Sequence, residues 1–327
     1  MEQLARRRII LCLATCAMAL PGISRIAWAQ PYPTRPVRII VGFTAGGSTD
    51  ITARLLAQWL SQRLGQPFLV ENRAGAAGNL ATEGVAHAPA DGYTLLMATA
   101  ANAISVSLYD KLSFNFIHDI APVAEIIRIP NLMTVHPSVP VHSVSEFIAY
   151  AKANPGKINM ASGGSGTSPH LSGELFKMLT GVNMLHVPYR GDGPALTDLL
   201  AGQVQVLFGN MPASLQHVRA GRLRALAVTT RARAEALPDV PAMSEIIPGY
   251  EASAFIGICA PANTPDDIVA KLNAEIHGAL ADPTLKARLA ELGGTVSITT
   301  PAEFAKFIVD EAEKWAKVVK FAGVKPE

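Results

Sequence analysis

The run Val37-Arg38-Ile39-Ile40-Val41-Gly42-Phe43-Thr44-Ala45-Gly46-Gly47-Ser48-Thr49-Asp50 decides the fold. Its first five residues, four of them β-branched, read as a strand. The glycines read as a tight turn and Ser-Thr-Asp as the start of a helix. That helix is expected from about Thr49 to Leu64, with Ile51, Leu55 and Trp59 on one apolar face and Gly65 as its stop. The same beat repeats along the chain. Phe68-Leu69-Val70, Tyr93-Thr94-Leu95-Leu96-Met97, Lys157-Ile158-Asn159-Met160 and Met184-Leu185-His186-Val187 read as strands, as do Val204-Gln205-Val206-Leu207-Phe208 and Leu223 to Val228. Strands alternating with segments of helical period predict an α/β class with mostly parallel sheets.

Two extended runs break the alternation. Ile129-Pro130-Asn131-Leu132-Met133-Thr134-Val135 ends in the proline-punctuated stretch His136 to Pro140. Phe255 to Pro261 enters a turn and then a helix expected from about Pro265 to Leu280. Two crossings predict a first lobe built from residues 30–130 and 253–327, with a second lobe, 131–252, inserted between them. Such an arrangement hinges by construction.

The chain has 327 residues, enough for about two domains, and its 49% apolar content is ample for packed cores. Residues 1–29 read as a cleavable secretory signal: Arg6, Arg7 and Arg8, an apolar run from Ile9 to Leu20, then Ala27-Trp28-Ala29 before Gln30. The periplasm is therefore the expected location. Without Arg6, Arg7, Arg8, Arg25 and Glu2, the 28 basic and 26 acidic residues become 24 and 25, a net charge of −1. Wholesale phosphate neutralisation is excluded, and nucleic acid is not an expected partner. Cys12 and Cys16 leave with the signal. Cys259 remains alone in Phe255-Ile256-Gly257-Ile258-Cys259, an aliphatic setting that suits a buried structural thiol better than a nucleophile.

A second glycine-rich turn, Met160-Ala161-Ser162-Gly163-Gly164-Ser165-Gly166-Thr167-Ser168-Pro169-His170, again joins a strand to a helix, which Gly181 ends. Glycines let backbone approach a ligand, and the first amides of the following helix lack intrahelical partners. With the helix dipole they form an anion site. Either loop alone fits an ordinary βα turn equally well; the pair favours a cradle for a carboxylate gripped from both lobes. The candidate ligand contacts are Phe43, Ala45, Gly46, Gly47, Ser48 and Asp50 in the first loop, and Ser162, Gly166, Thr167, Ser168 and His170 in the second. Asp50 alone reads as a helix-stabilising acid, or as an organiser of its loop with Arg54 as an i,i+4 partner. His170 stands open between a ligand contact and a hydrogen bonder of the cap region. A third turn, Glu71 to Asn79, offers Asn79 or reads as a tight turn.

Other motifs fail on spacing. There is no G-x-x-x-x-G-K-[ST] run, and Pro169 stands where a dinucleotide fingerprint needs its third glycine. Gly166-Thr167-Ser168-Pro169-His170 mimics a nucleophile elbow, with His170 replacing the last glycine. The eight histidines are scattered, so neither a metal nor a cofactor is expected.

These residues resemble the Bug family, the periplasmic solute-binding proteins of tripartite tricarboxylate transporters. The similarity spans nearly the whole mature length, through Tyr32-Pro33-x-Arg35-Pro36-Val37, Phe43-x-x-Gly46-Gly47-x-x-Asp50, Glu71-Asn72-Arg73-x-Gly75, Ala90-Asp91-Gly92-Tyr93 and His136-Pro137. It continues in Gly166-Thr167-Ser168-x-His170-Leu171, His186-Val187-Pro188-Tyr189-Arg190-Gly191 and Leu237-Pro238-Asp239-Val240-Pro241. The resemblance implies a two-lobed, type II-like periplasmic-binding (Venus flytrap) fold with two crossover strands. It also implies a small carboxylate or amino-acid-like ligand held largely by backbone amides, and a membrane permease of large and small subunits as partner. It adds Thr99, Ala101, Asn102 and Tyr189 to the site. Three departures bear on specificity: Ala45 stands where the family usually has Pro, Gly209 where an acid commonly precedes Asn210, and Asp192 where a small neutral residue is usual.

The leading expectation is thus a monomeric receptor, not an enzyme, that closes on a small organic anion and delivers it to a permease. The alternatives are a secreted hydrolase using Ser168, and a receptor that reports to a membrane sensor.

Overall fold

The computed structural model describes residues 32–109, 111–189 and 191–325. The signal reading of residues 1–29, and Arg190, lie outside the described residues. Hydrophobic runs one strand long, each followed by a helix with one buried stripe, assemble into two sheets that share a single long strand. In the first, β1 (Val37–Val41) lies between β2 (Phe68–Asn72) and β3 (Thr94–Thr99), parallel to both. β3 pairs antiparallel with β9 (Ser253–Pro261), which pairs antiparallel with β4 (Ile120–Val135). β10 (Thr295–Val296) lines the other side of β4 at Ile127 and Arg128.

The second sheet starts where the first stops pairing. β4 matches β9 as far as Pro130; from Asn131 to Val135 it pairs antiparallel with β7 (Val206–Asn210). Its other edge from Leu132 takes β8 (Arg224–Val228). β5 (Asn159–Ser162) runs parallel to β7 and to β6 (Leu185–Pro188). The expectation of mostly parallel sheets needs correcting: the sheets are mixed, because both crossing strands are full ladder members antiparallel to their neighbours. β4 is also far longer than the run Ile129–Val135. Register shifts between Pro122 and Ala124 and between Glu125 and Ile127 let a strand interrupted by prolines keep its ladder.

The helices are α1 (Ser48–Leu64), α2 (Asn79–Ala86), α3 (Ala100–Leu108), α4 (Val144–Ala153), α5 (Ser168–Thr180), α6 (Asp192–Leu200), α7 (Met211–Arg219), α8 (Asp266–Ala281), α9 (Pro283–Glu291) and α10 (Pro301–Ala322). In α1 the buried stripe is Ala53, Leu56, Ala57 and Leu60, not Ile51, Leu55 and Trp59, which stay half-exposed. Ile51 is left to line the cleft. A continuous core joins Ile104 and Leu108 of α3, Phe147 of α4, Leu171 and Phe176 of α5, Phe208 of β7, Phe255 of β9 and Trp315 of α10. Cys259 is a fully buried free thiol, pushed well above its ordinary range by burial.

Candidate functional site

Parallel strands end at the same sheet edge, so the helices that follow them start there together. β1 leads into α1, β3 into α3, β5 into α5, β6 into α6 and β7 into α7. All five helix starts line one cleft of about 600 Å³ between the sheets, a size suited to a small ligand. The first sheet contributes Gly47 and Ser48, with Thr99, Ala100 and Ala101. The second contributes Thr167, Ser168, Gly191, Asp192 and Asn210. Ile129 of β4 and Phe255 and Ile256 of β9 supply apolar surface.

The electrostatics follow from main chain. No side chain caps α1 behind Gly47, α6 behind Gly191 or α7 behind Asn210, so their leading amides stay available. Each terminus typically favours an anion by about 0.3–1 kcal/mol, and more when partly buried. Among the described residues lining the cleft there is no Lys, Arg or His; Asp192 is the one ionisable side chain. The positive field is made of dipoles.

Of the residues expected from sequence, Phe43, Gly46, Gly47, Ser48, Thr99, Ala101, Thr167 and Ser168 line this cleft. The others stand behind it or aside. Ala45 is exposed at the loop tip. Asp50 is buried beneath the first loop: its Oδ2 accepts from the Gly46 amide and Arg54 Nε, each 2.9 Å, and its Oδ1 from Arg54 Nη2 (3.0 Å) and Asn72 Nδ2 (2.9 Å). Burial alone would raise its pKa, but these donors outweigh it and hold the carboxyl below its ordinary value. Asp50 therefore organises the loop, and it uses the Gly46 amide to do so. Asn102 closes the start of α3 by accepting from the Thr99 amide (2.7 Å) and donating to Thr82 Oγ1 (2.7 Å). Asn79 is buried at the start of α2 with neither side-chain polar atom bonded.

Behind the second loop lies a polar stack. Ser162 Oγ and His186 Nε2 share a hydrogen bond of 2.7 Å, and the His186 ring lies on that of His170 with centroids 3.7 Å apart. The Gly166 amide donates to His170 Nδ1 (3.1 Å), which puts the proton on Nε2, facing Glu174 Oε1 at 3.7 Å. Burial pushes His186 down to about 3, so it is neutral. His170 is thus a bonder of the cap region, and both its nitrogens are committed. No histidine nitrogen is hydrogen-bonded to Ser168 among the described residues. Tyr189 donates to Asp198 Oδ2 (2.6 Å), away from the cleft. Gly166 has φ +72°, and a Cβ there would meet Leu108 Cδ2 of α3 at 2.4 Å.

The largest omission from the sequence-derived site is the wall made by Gly191, Asp192, Gly193 and Asn210. Its signal was present. Gly191-Asp192-Gly193-Pro194 after β6 repeats the strand–glycine–helix pattern, though with an acid where the other loops carry hydroxyls. Burial raises the Asp192 carboxyl above its ordinary value, with Asn210 opposing. An acid raised this way binds more protons folded than unfolded. It therefore lowers stability as pH climbs from about 3.8 through the folded value. Asp192→Asn is expected to melt higher than wild type at pH 7 without ligand, with the gap closing below pH ~3.8; calorimetric melts across that range check it.

Two α/β lobes joined by paired crossing strands, with helix N-termini facing an open cleft, define a receptor of the periplasmic solute-binding class. Residues 52–324 match the Tripartite tricarboxylate transporter family receptor, and the chain belongs to that family, whose members are periplasmic solute-binding receptors rather than enzymes. The hydrolase reading of Ser168 is thereby overturned. BugT of Bordetella pertussis is 39% identical over 319 residues, covering 97% of this chain and 98% of BugT. The solved R. palustris Rpa4515 with adipate is 39% identical with a TM-score of 0.82, covering 90% of this chain and 100% of that one. MatC from Rhodopseudomonas palustris with bound malate is 35% identical with a TM-score of 0.79, covering 88% and 100%. Among the described residues no helix is long and apolar enough to cross a membrane.

Proposed function

We propose that this receptor captures a small carboxylate-containing solute in the cleft and delivers it to a membrane permease of large and small subunits. In this reading the lobes are residues 30–130 with 253–327, and 131–252. The change of β4's partners at Pro130 and Asn131 supports that division. The observation that carries the proposal is the convergence of five helix starts on a cleft without a cationic side chain among its described lining residues. Such a site binds a carboxylate through main-chain amides drawn from both lobes, so ligand contacts bias the closed state. Neighbours holding adipate and malate support the same class of ligand.

The test is a thermal-shift series on residues 30–327 with mono-, di- and tricarboxylates, amino acids and neutral sugars. A carboxylate at ~100 times its Kd adds about 2.7 kcal/mol, roughly 4 °C for a chain of this size. A melt shifted by sugars alone refutes the reading. Deleting the gene and following uptake of the stabilising compound beside transcription tests delivery: unchanged uptake with an altered transcript would favour a sensory role.

A further inference from the structure

The cleft holds one arrangement that a carboxylate does not explain. Asp192, at the start of α6, and Asn210, at the end of β7, meet on the second lobe's side of the cavity, where Asn210 Nδ2 donates to Asp192 Oδ2 at 2.8 Å. The Asn210 main chain also holds the carboxylate, yet Asp192 Oδ1 and Asn210 Oδ1 are buried without a donor. Buried acceptors are almost always satisfied, and a buried carboxylate needs a counter-charge. Asp192 is packed in place: a Cβ on Gly163 would lie 2.7 Å from its Oδ1. An ordinary first-turn acid on a surface helix would face water, leaving no unmet demand.

The remainder of the cleft offers donors, while this corner offers acceptors and a negative charge. A dicarboxylate spanning the cavity would set its second carboxylate against Asp192, a like-charge contact. A primary ammonium brings three donors and one positive charge, the complement of a corner where Asp192 is the one ionisable side chain among the described lining residues. We propose that Asp192 and Asn210 form a recognition point for a primary ammonium group, so that the preferred ligand is an amino carboxylate with its amine remote from its carboxylate. This rests on the carboxylate-cleft reading and narrows it. It also sets this chain apart from neighbours holding adipate and malate, neither of which carries an amine.

Length-matched pairs test the inference. Calorimetry compares γ-aminobutyrate with succinate, δ-aminovalerate with glutarate, and ε-aminocaproate with adipate, using wild type and Asp192→Asn. The expected result is that wild type binds at least one amino carboxylate about tenfold or more tighter than its dicarboxylate partner. Asp192→Asn should then reverse that order. Asn is close in shape to Asp, and an unchanged or higher ligand-free melting temperature shows that the variant folds. Wild type taking the dicarboxylates in preference overturns the inference and leaves the receptor reading standing. Equal loss of both ligand types in Asp192→Asn also overturns it, because a purely structural role would weaken both. Failure of every compound to bind overturns the inference, while the carboxylate-cleft reading is decided separately by the wider thermal-shift series.

Discussion

Gly166→Val is expected to lower affinity for the bound carboxylate about 100-fold, with Gly46→Val costing about tenfold and Arg54→Ala only a few-fold. The ordering follows from what surrounds each residue. Both glycines have positive φ, +72° at Gly166 and +86° at Gly46, a region that costs an L-residue roughly 1–2 kcal/mol. At Gly46 nothing lies within 4 Å of an added Cβ, so backbone strain is the whole penalty. At Gly166 the Cβ would also collide with Leu108 Cδ2 at 2.4 Å, and Leu108 is buried in the core, with little room to yield. Overpacking of that kind adds roughly 1–3 kcal/mol. The loop escapes by shifting, which breaks the Gly166–His170 bond and displaces Thr167 and Ser168 from the cleft. If the competent arrangement becomes a state populated at about 1%, the apparent Kd rises by the reciprocal factor. Arg54 is absent from the cleft lining and acts only through Asp50. Calorimetry with the most stabilising carboxylate measures the order, and melting curves confirm that the variants fold. A dominant effect of Arg54→Ala would mean that a side-chain ion pair, and not main chain, governs binding.

Why the sequence shows Gly166 as special but hides its partner is a matter of range. Strand, turn, cap and helix are local patterns, so the positions of both glycine-rich loops and the alternation of elements can be read directly from residue types. The Thr99–Asn102 closure of α3 and the Asp50–Arg54 couple are also local, at separations of three and four residues. Contacts made by chain return are not. Leu108 lies beside Gly166 although they follow strands of different sheets, and Asn210 reaches Asp192 from 18 positions away. The buried stripe of α1 was misplaced for a related reason. The helix carries apolar residues on two neighbouring faces, so hydropathy alone does not say whether Ile51, Leu55 and Trp59 or Ala53, Leu56, Ala57 and Leu60 meet the sheet; tertiary contact selects the second set. The crossing strands are legible as extended runs at Ile129–Val135 and Phe255–Pro261, but their antiparallel pairing and the reach of β4 back to Ile120 through Pro122 are not, because a proline interrupts the local strand pattern and only the ladder to β9 continues it.

The second large effect is expected far from the ligand. Trp315→Ala should destabilise the protein by about 3–5 kcal/mol through lost burial alone. Trp315 is fully buried, and its Nε1 donates to Glu311 Oε2 at 2.8 Å. The Lys314 ammonium also bonds Glu311 and lies 4.5 Å above the indole ring. Against a typical total stability of about 5–15 kcal/mol, this loss is a substantial fraction, and the melting temperature should fall by roughly 5–8 °C. Trp315→Phe keeps most of the ring and loses the donor, so its cost should be nearer 1–3 kcal/mol. Urea titrations of the three proteins measure the difference, and equal costs for the two variants would show that the hydrogen bond matters more than the packing. The consequence for function comes through α10, which packs against both α3 and α5. Trp315 shares one buried cluster with Ile104 and Leu108 of α3 and with Leu171 and Leu175 of α5. Those helices begin at Thr99–Ala101 and at Thr167–Ser168, cleft contacts that follow strands of the two different sheets. A cavity at Trp315 therefore loosens both grips together, and Trp315→Ala should weaken carboxylate binding below the melting range while Trp315→Phe leaves it nearly intact.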